Sequence, residues 1–273
     1  NTRKVDNYVE PFVGGGAVFF YLNNNYTIKK ATLIDNNKEL IIGYKVIQNN
    51  PQELIEQLRS IERQYLKKSS TERERFYYEQ RDKYNKQMRD FDYQHYSEEW
   101  IKRAVYLIFL NRTCYNGLFR QNSKGEFNVP MGRYKNPTIC DAKNILEVHE
   151  SLKKATIICG DFSEAEQYIT QDSFVYFDPP YRPLSNTANF TDYSNAGFTD
   201  EEQKRLAAFY KKMDKRGAFL MLSNSDPKNE DPNDDFFDKL YAEFNIQRVK
   251  AKRAISCKGI GRGEITELLI TNY

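Results

Sequence analysis

A chain of 273 residues, 40% hydrophobic and 29% charged, has room for one large domain or a domain with a sizeable insertion, and its composition excludes a disordered or fibrous protein. No apolar run approaches the roughly 20 residues needed to cross a bilayer, and the polar start "NTRKVDNY" has no signal-peptide core, which argues against a membrane or secreted protein. The net charge of +3 is too small to demand a polyanionic partner by itself.

In chain order, "NYVEPF" reads as a strand, followed by the glycines of "VGGGAVFFYL" and a second strand, "KATLID", ending at Asp35. Helical periodicity runs through "NKELIIGYKVIQ" and, after Pro51 at a helix start, through "PQELIEQLRSIERQYLKK". A βαβ opening of this kind predicts a parallel sheet with helices on its faces. From about Ser60 to Pro137 the character changes. "TERERFYYEQRDKYNKQMRD" is charged and helical in period, and "SEEWIKRAVYLIFLN" places Trp100, Ala104, Leu107 and Ile108 on one side of a helix. Next, Asn122-Ser123-Lys124-Gly125 reads as a hairpin turn. Residues 60–137 are therefore expected to be an insertion with its own binding surface, and 1–59 with 138–273 the main domain. After Asp141 come strands at "ATIICGD", "DSFVYFD" and "AFLMLSNS", with a helix over "TDEEQKRLAAFYKKMDKRG" that has an acidic first turn and stops at Gly217. "NIQRVKAKRAI" and "EITELLITNY" are expected to close the sheet as an antiparallel pair.

Charge is uneven along this frame. Residues 248–263 hold six Lys or Arg and no acid, and 111–136 hold five against one Glu. Two such stretches in a near-neutral chain suggest a positive face. Four scattered cysteines without a C-x-x-C pair, and only two histidines, argue against a metal site and fit a reducing cytoplasm.

Chemistry enters with two loops. Gly14, Gly15 and Gly16 follow the first strand and let backbone approach a ligand where a Cβ would collide. Asp35 ends the next strand about twenty residues on, where an acid in a nucleotide-binding βαβ unit takes ribose hydroxyls. Phe19 stands at the last position of G-x-G-x-x-G, so the spacing says only adenosine-containing ligand: a nicotinamide dinucleotide or S-adenosylmethionine. Asp178-Pro179-Pro180-Tyr181 separates these. Two prolines remove the N–H donors, so the turn presents a carboxylate and carbonyl oxygens. An exocyclic NH2 needs two acceptors, which Asp178 and the Pro179 carbonyl can supply; a keto oxygen there would strand unpaired groups at about 1–3 kcal/mol each. Tyr181 offers a face for a planar base. Accepting both hydrogens frees the amine lone pair to attack a sulfonium methyl, and Asp178 stabilises the positive charge that develops on nitrogen. In duplex DNA the base must first be rotated out.

"EPFVGGG", "GDF" at 160–162, "DPPY" and "SNS" at 223–225, in this order and with an insertion between the halves, resemble the Dam-type DNA adenine-N6 methyltransferases of the alpha subgroup. "YNGLFR", "GEFNVPMGRYKNP" and "PLSNTANFT" look like the members that methylate adenine in GATC, whether solitary or paired with a restriction endonuclease. The resemblance implies an α/β fold: a Rossmann-like S-adenosylmethionine-dependent methyltransferase sheet with helices on both faces, and an inserted, mostly helical DNA-recognition domain with a β-hairpin. It implies a cytoplasmic enzyme of double-stranded DNA that needs no protein subunit. Carried over, Pro11, Phe12, Gly14 and Gly16 line the cofactor loop, Asp35 holds the ribose, Asp161 accepts from the cofactor adenine amine with Phe162 against its ring, and Asp178, Pro179, Pro180 and Tyr181 handle the target base, with Asp178 bordering the cofactor as well. Tyr115, Asn116, Leu118, Arg120 and Pro130 match the recognition hairpin, with Arg120 placed to read guanine and Leu118 or Tyr115 to wedge into the stack. Arg133, Lys135, Lys252 and Arg253 are expected at phosphates, and Asn189 and Phe190 near the flipped base or its orphaned partner.

Such enzymes usually begin with a segment ending in W-x-GGK, whose Trp and Lys touch the cofactor, and nothing before Tyr8 matches it. Either the natural product carries that segment upstream of Asn1, or the molecule lacks it and weaker cofactor binding is expected. The "DPPY" turn would equally serve cytosine N4, and a DNA-binding relative without turnover is the other alternative. A nicotinamide oxidoreductase lacks any hydride-accepting constellation here.

Overall fold

A computed structural model describes residues 4–183, 198–252 and 264–273 of the chain. The residues fall into two compact units, 1–36 with 160–273, and 37–159. β1 (Lys4–Glu10), α1 (Ala17–Asn25) and β2 (Thr27–Asp35) lead into the second unit, which holds α2 (Lys38–Asn49), α3 (Pro51–Leu66), α4 (Ser70–Gln87), α5 (Glu98–Thr113), α6 (Ala142–Leu152) and β3 (Ala155–Cys159). The first unit resumes with β4 (Phe174–Phe177), α7 (Asp200–Asp214), β5 (Phe219–Ser225), α8 (Phe236–Leu240), β6 (Asn245–Lys252) and β7 (Glu264–Thr271). No described helix is long and apolar enough to cross a membrane.

In the first unit six strands lie in the order β2-β1-β4-β5-β7-β6. The first four are mutually parallel, with Val9 beside Thr32 on one flank and beside Val175 on the other. β7 runs antiparallel to both β5 and β6, the closing pair expected from the sequence. The sheet is therefore the expected doubly wound α/β type. Burial explains the strand ends: β1 is buried only over its last three residues, and Leu33, Ile34, Val175, Phe177, Leu220 and Leu222 are all buried. α7 starts where the Thr199 hydroxyl accepts from the Glu202 N–H, beneath three acids that favour the positive helix end. It stops at Gly217, whose φ of +81° suits a residue without a Cβ.

The second unit has its own core, in which Leu54, Leu58, Tyr65, Tyr77, Trp100, Phe109, Phe127 and Val129 are buried together. α4 opens on a reciprocal cap, Ser69 with Glu72. α5 packs against α2, α3 and α4. Its buried residues are Trp100, Ile101, Arg103, Ala104, Val105, Phe109, Leu110 and Thr113, whereas Leu107 and Ile108 are only partly covered. The single apolar side expected for this helix is thus too narrow, because three neighbouring helices enclose it. The segment 60–137 lies wholly inside this unit.

Candidate active site

Strand order reverses in the first unit at β1, which has β2 on one flank and β4 on the other. In open α/β sheets the crevice beyond the carboxyl ends at such a reversal is where ligands lodge. Pro11, Phe12, Gly14 and Gly16 follow β1, Asp35 ends β2, and Asp178, Pro179, Pro180 and Tyr181 follow β4, so these residues share one edge.

The glycine loop is held from both ends. Val13 N–H donates to the Ile34 carbonyl at 2.9 Å, and Gly14 N–H to Asp35 Oδ2 at 2.9 Å. Gly14 and Gly16 have φ of +46° and +69°, and Gly16 immediately precedes α1, so an ordinary side chain at either position would strain the turn. A Cβ added to Gly14 or Gly15 would meet no atom within 4 Å, so the loop borders open space. Gly160 N–H donates to the Asp35 carbonyl at 3.0 Å, which brings Asp161 and Phe162 to the same edge, and the Phe12 and Phe162 rings lie 5.4 Å apart. The donor and acceptor set, carboxylates at 35 and 161 beside an open glycine loop, fits an adenosine-type ligand.

Asp161 is heavily engaged. Its Oδ1 accepts from the Ser163 N–H at 3.0 Å and hydroxyl at 2.6 Å, and Arg205 grips both oxygens at 2.8 and 2.7 Å. The Arg205 guanidinium above all, then Ser163, holds this carboxyl well below the usual carboxylate range.

The Asp178 side chain is open to solvent at the strand end, yet the surrounding protein mass pushes its carboxyl above the usual value. Ser223 donates to Asp178 Oδ1 at 2.8 Å and exchanges a 3.0 Å bond with the Tyr176 hydroxyl. Pro179 is buried, Pro180 exposed and Tyr181 37% exposed. Behind the turn, Gln203 of α7 is fully buried: its amide donates to the Pro180 carbonyl at 3.1 Å and accepts from Asn224 at 3.2 Å. Asn224 in turn accepts from the Arg182 N–H at 3.1 Å. One helix side chain and one strand side chain thus brace the proline turn from both sides.

Glu10, last in β1, is 2% exposed and accepts from the Tyr8 hydroxyl at 2.8 Å. Burial first, then the carboxylates of Asp178 and Asp35, push its carboxyl up to about 8. Ionisation is therefore easier in the unfolded chain, and Glu10 lowers stability progressively as pH rises from 4.5 to about 8. Glu10→Gln is expected to stabilise the protein at pH 8.5, by on the order of 3 kcal/mol, and to change little at pH 5. Thermal unfolding at the two pH values checks this; an equal effect at both would count against a neutral Glu10.

The residues matched to a recognition hairpin lie in the second unit. Tyr115 N–H donates to the Pro130 carbonyl at 2.9 Å, Asn128 N–H to the Arg120 carbonyl at 3.1 Å and Asn122 N–H to the Glu126 carbonyl at 2.9 Å. The segment closes on itself through isolated bridges, Cys114 with Met131 and Gln121 with Phe127, rather than a continuous ladder. Asn116 takes a left-handed φ of +53°. Tyr115, Arg120, Arg133 and Lys135 are exposed, whereas Leu118 is partly buried against the unit's core. Arg120 Nε donates to Asn128 Oδ1 at 2.8 Å.

Asn189, Phe190 and Arg253 lie outside the described residues, as does the Lys252 side chain. Arg248, counted in the basic stretch, is tied to Asp226 and Asp238 and adds no unpaired charge. Sequence reasoning missed Glu10, Gln203 and Arg205. A polar Gln in register with the buried Leu206, Ala207 and Tyr210 was the available signal for Gln203.

A family model described as D12 class N6 adenine-specific DNA methyltransferase matches residues 1–255. The chain is 52% identical over 271 residues to the type II methyltransferase M.MjaIII of Methanocaldococcus jannaschii, covering 99% of this chain and 89% of that one. It is 40% identical to the type II methyltransferase M1.LlaDCHI of Lactococcus lactis, over 99% of this chain and 88% of that one. To the DNA adenine methylase of Escherichia coli K12 it is 35% identical, over 96% of this chain and 84% of that one.

Proposed function

Since the chain belongs to the D12 class of N6 adenine-specific DNA methyltransferases, we propose that it takes its methyl group from S-adenosylmethionine and delivers it to adenine within GATC. Membership decides between the exocyclic amines in favour of adenine. The observation that carries the reading of the site is the Asp178 carboxylate, open at the strand-order reversal and fixed on one oxygen by Ser223.

When bound, the cofactor supplies a methyl group on a positively charged sulfur. Gly14 and Gly16 with Pro11 and Phe12 would cradle it, Asp35 would take the ribose hydroxyls, and Asp161 would accept from the adenine amine. Asp178 and the Pro179 carbonyl would accept the two hydrogens of the target amine. Ser223 keeps the Asp178 carboxylate in one orientation, and Gln203 keeps the proline turn from shifting. A carboxylate set there in advance stabilises charge on nitrogen without reorganising as it develops. Tyr181, 37% exposed beside it, would stack on the base.

Recognition we assign to the second unit. The Arg120 guanidinium is anchored through Nε by Asn128, and among the described residues its terminal nitrogens have no other partner, as a bidentate guanine contact requires. Tyr115, Asn116, Leu118 and Pro130 would shape the hairpin at the opened site, with Arg133 and Lys135 on phosphates. The likeness to type II methyltransferases supports protection of cytoplasmic DNA beside a restriction endonuclease.

The test is transfer of labelled methyl from S-adenosylmethionine to duplexes with GATC or a permuted site, followed by digestion with nucleases that differ in tolerance of methyl-adenine. Arg120→Ala is expected to shrink the preference for GATC by about 10- to 100-fold, the worth of one bidentate base contact. Equal losses on both duplexes would instead make Arg120 a phosphate contact.

A further inference from the structure

We propose that Arg205 completes the cofactor's adenine subsite, its guanidinium forming the flat cationic surface on which the purine rests. This deepens the reading of S-adenosylmethionine as methyl donor and depends on it. Phe162, the ring expected to meet the purine, is only 3% exposed. Phe12, Phe198 and Phe209 surround it at centroid separations of 5.4, 6.2 and 5.7 Å, and the Arg205 guanidinium carbon sits 4.0 Å from its centroid. An incoming purine therefore meets the guanidinium before it meets the aromatic ring.

The guanidinium is also fixed in orientation. It donates to both oxygens of Asp161 and, from Nε and Nη2, to Glu202 at 3.1 and 2.6 Å, while the side chain stays 42% exposed. A planar cation held by two carboxylates and backed by an aromatic ring loses little entropy when a second planar group stacks on it. Nor must it leave for the adenine amine to bind. Asp161 Oδ1 takes three donors, but among the described residues Oδ2 accepts from Arg205 alone, so one acceptor position is left for an exocyclic N–H. Arg205 thus aims Asp161 and supplies the stacking surface together.

The experiment titrates the full chain and its Arg205→Ala, Arg205→Lys and Asp161→Ala variants with S-adenosylhomocysteine by calorimetry, with circular dichroism to verify folding. Arg205→Ala is expected to bind about tenfold more weakly, the scale of one partly desolvated cation–π contact. Arg205→Lys keeps the charge but not the plane and should recover only part of that loss, while Asp161→Ala should lose at least as much. DNA affinity, measured separately, should stay within about twofold of the parent for Arg205→Ala, since the contact is to the cofactor alone. Parental affinity in Arg205→Ala, with Asp161→Ala impaired, would overturn the proposal and leave the cofactor reading standing. Tighter binding by Arg205→Ala would overturn it too, by making Arg205 an obstacle over the pocket. Full recovery by Arg205→Lys would remove the planar surface. Parental affinity in both Arg205→Ala and Asp161→Ala would sink the cofactor assignment of this pocket itself.

Discussion

Asp178→Ala is expected to lower methyl transfer by at least about 10³-fold, close to 4 kcal/mol of transition-state stabilisation. In the proposed role, the substitution removes both an acceptor for the amine and the negative charge opposite the developing positive nitrogen. Asp178→Asn keeps an oxygen for the amine hydrogen but not the charge, and should fall between the parent and the alanine variant. DNA and cofactor affinity should change far less than the rate in either, because most of the cost arises as nitrogen becomes charged. Single-turnover transfer of labelled methyl, read beside equilibrium DNA binding, separates these effects. An alanine variant that turns over near the parental rate would take Asp178 out of the proposed role. The pH dependence has a fixed sign: the carboxyl titrates above its ordinary 3.8, so acidification should reduce the rate at a higher pH than an unperturbed Asp would.

What could be read from the sequence was what a few neighbouring residues decide among themselves. Three glycines after a strand, an acid closing the next strand, and two prolines behind an acid each constrain the backbone locally, and each can be placed at the end of a strand without knowing which strands are neighbours in the sheet. Hidden were the partnerships that tertiary packing creates. Arg205 and Asp161 are 44 positions apart, and nothing in "EEQKR" distinguishes the Gln that is buried from the Arg that grips Asp161. Glu10 sits in a motif legible for its proline and glycines, but its high pKa follows from burial and from the carboxylates of Asp178 and Asp35, which only the assembled sheet reveals. The basic stretch beginning at Arg248 looked like a polyanion-binding feature, yet Arg248 answers acids of its own unit. α5 failed for a related reason. Periodicity counts Arg103 as a solvent residue, and three surrounding helices leave it no solvent to reach.

Arg103 carries the second large effect. Its side chain is 0% exposed, and Nε donates to Glu39 Oε2 at 2.7 Å while Nη2 donates to Oε1. Nη1 donates to the Tyr84 carbonyl at 3.2 Å, and the cation lies 4.3 Å from the Tyr84 centroid and 4.8 Å from that of Phe91. Tyr93 donates to Glu39 at 2.7 Å. A pair this enclosed gains little net energy from its own attraction, because desolvating both ions offsets most of it. Removing one partner is different, since the other charge is left in the core. Glu39→Ala is expected to cost about 3–5 kcal/mol, and Arg103→Met slightly less, because an abandoned carboxylate can take a proton whereas a guanidinium cannot lose one. Replacing both, as Glu39→Leu with Arg103→Met, should recover most of the loss. Trp100 is the chain's sole tryptophan and lies in the same core one turn from Arg103, so its fluorescence during urea unfolding reports this unit directly. If the double variant proves as unstable as the two single losses added together, the ions are not coupled, and the stability of this core must come from its aromatic packing instead.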